Sequence, residues 1–153
     1  MKKIILPKNE KTLLIIWFAI NLIVGVLVVN DFGIGTDEPI YILYAEETLD
    51  AYNSFFGILF EPVFDVKNLQ YYGPAFVVTV SWIMRFIPQM LPNIPSIDIW
   101  HYSYFLLFQL TGLCLYAMIK RWFSTWTAWA VLVLFTTQPL LLGHSFINPK
   151  DIP

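Results

Sequence analysis

Charge is what this sequence has least of. Of 153 residues only 13% are Asp, Glu, Lys or Arg, about half of the roughly 25% usual in a soluble domain. A charged, water-facing surface is therefore excluded. Nine Lys plus Arg stand against eleven Asp plus Glu, so no basic excess is present to neutralise phosphates, and a nucleic-acid binder is excluded as well. The single cysteine, Cys114, rules out an intrachain disulfide framework and a Cys-based zinc site. What fills the chain instead is apolar: 58% hydrophobic, 18% aromatic, with a mean hydropathy of +0.63. Disordered chains lack such residues. A short membrane protein remains.

The few charges fall in a pattern. Residues 12–30 carry none, and neither do 99–119 or 122–149. A hydrocarbon core about 30 Å thick takes roughly 20 helical residues, so we expect spans at 12–30, 99–119 and 122–142, with Pro139 kinking or ending the third. Lys2, Lys3, Lys8 and Lys11 precede the first span and Lys120-Arg121 separates the second from the third. Both basic groups belong in the cytoplasm by the positive-inside rule. The apolar run at 12–30 is too long for a cleaved signal peptide, and no small-x-small site precedes Asn30-Asp31.

Between residues 31 and 98 there are nine acids and two bases, as expected of a segment outside. Residues 73–91, interrupted by Arg85 and followed by Pro92, read as a re-entrant or interfacial helix. A crossing there would send Lys120-Arg121 outside and Asp151 to the cytoplasm. Trp100, Tyr102 and Tyr104 at one end of the spans, and Trp122, Trp126 and Trp129 at the other, suit interfacial aromatic belts. The fold class is all-α integral membrane: three transmembrane helices, an external amphipathic helix beside the membrane, and the re-entrant segment.

The amphipathic helix is expected over 39–57. Thr36 or Asp37 can cap it, and Pro39 is tolerated in its first turn. Ile42, Ala45, Leu49, Tyr52 and Phe56 recur at helical spacing, while Glu46, Asp50 and Asn53 lie on another face. Glu46, Glu47 and Asp50 read as its solvated side. Asp37 and Glu38 have two readings. They can be acids favoured by the dipole of a helix start. They can also be a base for a hydroxyl, or the holders of a divalent metal beside a lipid phosphate. After the third span, residues 143–153 form a polar cluster in which Lys150 could meet a phosphate and Asp151 a hydroxyl or metal. His144 reads as an interfacial hydrogen-bonding residue, and His101 carries still less signal.

Taken together, Asp37-Glu38-Pro39 after a first span, Tyr72-Gly73-Pro74 before a re-entrant segment, Lys120-Arg121-Trp122-Phe123 between two spans, and the string from His144 to Pro153 resemble a known family. The chain is similar to the start of a polytopic GT-C glycosyltransferase of the family-39 type, related to protein O-mannosyltransferases and the aminoarabinose transferases of lipid A. The resemblance implies transfer of a sugar of the hexosyl or mannosyl kind from a polyprenyl-phosphate donor to an acceptor at the outer face of the cell (plasma or inner) membrane. It implies Asp37 as catalytic base, Glu38 as its positioning partner and Asp151 as the second acidic position. Lys150, His144 and Asn148 then contact substrate. The cofactor is unspecified, with a divalent metal as one option, and the partners are the lipid bilayer and the lipid-linked donor.

Family members carry an arginine shortly before the second acidic motif, where this chain has Gly143, and run to several hundred residues. The expectation is a fragment, 1–153, holding the N-terminal part of one membrane domain and inactive alone. The competing expectation is a small polytopic assembly or interaction subunit without chemistry.

Overall fold

The charge-free run that follows Lys11 is helical almost throughout. In the computed structural model, which describes residues 9–55, 73, 75–90 and 92–148, it forms α1 (Glu10–Val28) and a closing 3-10 turn (Val29–Asp31). α2 (Glu38–Phe55), α3 (Ala75–Met90), α4 (Ser96–Trp122), α5 (Thr125–Thr137) and α6 (Pro139–Ile147) follow. No strand occurs among the described residues. Lipid explains that economy, because a helix satisfies its backbone polar groups internally.

α1 with its closing turn, and α4, are each long and apolar enough to cross a membrane. α5 and α6 meet at a 57° bend and supply a third span only if counted together. The chain is thus a helical membrane protein with two or three candidate spans. The bend falls where the sequence placed it. Gln138 leaves helical geometry, its side chain caps α6 by accepting from Leu141 N at 2.8 Å, and Pro139 occupies the first turn. At the other end of α5, Ser124 Oγ accepts from Thr127 N at 3.1 Å.

The chain divides into two compact units, one of Met1–Gly33 with His101–Pro153 and the other of Ile34–Trp100. In the first unit, α1 and α4 run antiparallel. Near the end of α1 the Leu22 carbonyl accepts from Tyr102 Oη at 3.3 Å, whereas Glu10 at its start meets Tyr116 and Lys120. A core of Val29, Phe105, Phe108 and Phe146 fills one end. There Phe105 stacks on Phe146 (centroids 4.6 Å apart), Phe146 on Phe32 (4.4 Å) and Phe108 on Phe135 (4.7 Å). A second core gathers Tyr116, Ala128 and Leu132 with Trp17 and Trp129. Gly25 and Gly112 allow the close approaches: a Cβ on Gly25 would stand 2.3 Å from Phe105, and one on Gly112 3.2 Å from Thr136. Small residues at such crossings are the usual means of packing helices in lipid.

The second unit pairs α2 with α3. α2 buries Tyr41, Tyr44, Ala45, Thr48 and Leu49, and α3 buries Val77, Val80 and Ser81.

Several expectations need correction. Ala45 and Leu49 of the expected apolar face of α2 are buried within the unit beside Tyr41, Tyr44 and Thr48, while Tyr52 of that face is 48% exposed and Ile42 only partly buried. Trp100 and Tyr104 are not belt residues, being 3% and 0% exposed. Trp129 is half-buried, edge-on to both Trp17 and Tyr116, whereas Trp122 and Trp126 stand exposed. Residues 143–147 are the last turns of α6 and not a polar cluster beyond a helix, with Ser145 and Phe146 buried.

Candidate functional site

The acidic pair sits at a local closure built by the chain itself. Gly35 and Glu38 exchange two bonds: Glu38 N donates to the Gly35 carbonyl at 3.2 Å, and Gly35 N donates to Glu38 Oε2. Asp37 lies immediately before α2, and its carbonyl accepts from Ile40 N and Tyr41 N, both at 3.2 Å. Pro39, lacking an N–H, occupies the second helical position, where a donor would have no partner anyway.

The two neighbours therefore differ in what they can do. Glu38 is fully buried, with one carboxylate oxygen committed to the Gly35 amide. Asp37 is exposed, and its carboxylate makes no hydrogen bond among the described residues. A base needs a lone pair open to its substrate, which Asp37 has. Glu38 is placed to fix the turn that presents it. The sequence motif could not distinguish these roles, because the split depends on the Gly35–Glu38 closure.

The remaining expected site residues lie elsewhere. His144 is exposed on the last turn of α6, its carbonyl accepting from Asn148 N at 2.9 Å, and Asn148 ends that helix. Both belong to the first unit, whereas Asp37 and Glu38 belong to the second. Lys150 and Asp151 lie outside the described residues. Among the described residues no three His, Cys, Asp or Glu side chains gather to hold a metal ion.

A feature that sequence reasoning missed lies along α2. Within the second unit a cleft of about 570 Å³ is lined on its polar side by Glu46, Asp50, Ser81, Arg85 and Ser96. Its apolar side is Ile34, Ile42, Met84, Ile97 and Trp100. Arg85 Nη2 donates to Asp50 Oδ1 at 2.9 Å, joining α3 to α2. Arg85 interrupts an apolar stretch, and Asp50 ends an acidic row; those were the signals, but 35 residues separate the partners.

No family model, no curated protein and no solved structure matches this chain.

Proposed function

We propose that this chain belongs to a membrane-embedded glycosyltransferase of the GT-C type, moving a sugar from a polyprenyl-phosphate donor to a hydroxyl at the outer membrane face. The observation that carries the reading is the pairing of an exposed, unengaged Asp37 carboxylate with a buried Glu38 at the start of α2, directly after a membrane-length helix. The antiparallel course of α1 and α4 supports it. With Glu10 and Lys120 together, Lys120-Arg121 shares a face with the N-terminal lysines, the positive-inside rule makes that face cytoplasmic, and the end of α1 opens outside. In this reading α5 and α6 form a third, broken span, α2 rests on the outer surface and α3 is interfacial.

In the reaction, Asp37 accepts the acceptor's hydroxyl proton while that oxygen attacks the anomeric carbon in line. The bond from that carbon to the lipid phosphate breaks, and its electron pair leaves with the phosphate. Glu38 holds the turn that aims Asp37. Lys150, next to the second acid, Asp151, is the cation that would steady the leaving phosphate, with His144 and Asn148 as substrate contacts from the same segment.

The test is transfer of a radiolabelled sugar from polyprenyl phosphate in membranes bearing the full glycosyltransferase to which this chain is proposed to belong. Transfer above vector-only membranes, abolished by Asp37→Asn with membrane insertion intact, is the expected result. No transfer by the wild type overturns the reading, and full transfer by Asp37→Asn overturns the assignment of the base. The Gly35–Glu38 closure equally suits a second reading, a non-catalytic assembly subunit whose acids only cap α2. That reading gains if Asp37→Asn and Asp151→Asn leave co-purification with a stable partner unchanged.

A further inference from the structure

The α2 wall of the cleft is a single ridge. Ile42, Glu46 and Asp50 recur every four residues, and the same row begins at Glu38. At 1.5 Å per residue the ridge carries the cleft from about 6 to about 18 Å along α2 from the acidic pair. Arg85 on α3 and Trp100 on α4 also line the cleft. The cleft's volume of about 570 Å³ lies within the roughly 300–1,000 Å³ typical of small-molecule sites.

Its chemistry narrows the ligand. A purely apolar group would strip water from Glu46, Asp50 and Arg85 and return no hydrogen bonds. A polyanion would face two carboxylates and one guanidinium that already serves Asp50. A lone cation could use Glu46, but it would oppose Arg85 and leave the serine hydroxyls idle. A neutral ring of hydroxyls uses every group. Its O–H donors meet Glu46 and Asp50, its oxygens accept from Arg85 and Ser81, and its C–H faces lie on Ile42 and Trp100. Glu46 is exposed and makes no hydrogen bond or ion pair among the described residues, so its carboxylate is available.

We infer that this cleft is a subsite for a sugar ring, and that the ring belongs to the acceptor. Binding itself stands on the cleft alone; the assignment to the acceptor rests on the glycosyl-transfer reading. The acceptor is then a glycan or a sugar-bearing lipid, held along α2 with its free hydroxyl toward Asp37, and not the hydroxyl of a protein side chain.

The experiment uses the full chain in phosphatidylglycerol nanodiscs with methyl α-D-mannopyranoside, methyl β-D-glucopyranoside and methyl β-D-galactopyranoside as probes, read by saturation-transfer NMR. At least one glycoside should receive saturation at its ring protons. Glu46→Gln should weaken that binding by about tenfold, as expected for one hydrogen bond to a charged group. Glu46→Gln sits on an exposed surface, so an unchanged circular dichroism spectrum confirms that folding is intact. No saturation of any glycoside, or equal saturation in a Glu46→Gln, Arg85→Gln double variant, overturns the subsite. In the transfer assay Glu46→Gln should raise KM for a glycan acceptor and leave KM for the donor unchanged. The reverse pattern overturns the acceptor assignment. Glycoside binding without any transfer keeps the subsite while rejecting glycosyl transfer and, with it, the acceptor.

Discussion

The ammonium of Lys120 donates to the carboxylate of Glu10, 110 positions earlier in the chain. The hydroxyl of Tyr116 donates to the same oxygen. Since Glu10 opens α1 and Lys120 lies in the last turn of α4, two membrane-length helices lie side by side in opposite directions. Antiparallel neighbours require an even number of crossings between them. α3 is 16 residues long, about 24 Å of helix, and falls short of a core about 30 Å thick.

Cysteine labelling checks this arrangement. In a Cys114→Ser background, Lys11→Cys and Arg121→Cys should both react with a membrane-impermeant maleimide from the same face of sealed vesicles. Labelling from opposite faces contradicts the antiparallel pair, and with it the shared basic face on which the proposed outward position of Asp37 depends.

Gly25 of α1 packs directly against Phe105 of α4. A Cβ there would meet Phe105 Cε1 at 2.3 Å, and the Phe105 ring is itself stacked on Phe146. Gly25→Ala should lower stability by about 1–3 kcal/mol, the usual cost of overpacking, seen as a lower Tm by circular dichroism in detergent. Adding Phe105→Leu to Gly25→Ala should recover part of the loss, because the new methyl then has room. A Gly25→Ala variant as stable as wild type refutes the contact.

How far the fold could be read in advance depended on whether a feature was local. The limits of α1 follow from Lys11 and Asp31, the break before α6 from Pro139, and the start of α2 from Asp37-Glu38-Pro39, because charge, a missing N–H and capping act within one turn. Pairings across the chain were not legible. Nothing near Gly25 names Phe105 as its neighbour, and nothing in Asp50 points to Arg85. Aromatic residues misled most. Trp100 and Tyr104 suit an interface by composition, yet both are buried, since a large ring serves a core as well as a lipid headgroup. For the site, the Asp37-Glu38 motif was visible but the burial of one acid and the exposure of the other were not, because that depends on the closure with Gly35.

The Asp50–Arg85 pair belongs to the cleft more than to the fold. Its side chains are 73% and 49% exposed, and such pairs contribute at most about 1 kcal/mol. Arg85→Gln should therefore leave Tm nearly unchanged, with any small loss shrinking further at high salt. A fall of many degrees would mean that the pair carries the α2–α3 packing, and effects of Arg85 variants on ligand binding could then not be separated from folding.

Gln109 provides the converse case. It is 3% exposed in the middle of α4, and neither its amide nitrogen nor its amide oxygen has a hydrogen-bond partner among the described residues. Leaving a buried polar group unpaired costs about 1–3 kcal/mol, and no water is at hand in the bilayer core to relieve it. Gln109→Leu is close in volume and removes both orphan atoms, so it should raise Tm in detergent, whereas most core substitutions lower it. Gln109→Ala separates the terms, since it removes the amide but opens a cavity, and it should be less stable than Gln109→Leu. If Gln109→Leu is instead destabilised, the amide is bonded in the membrane to a group outside the described residues, and position 109 marks where that group enters the helix pack.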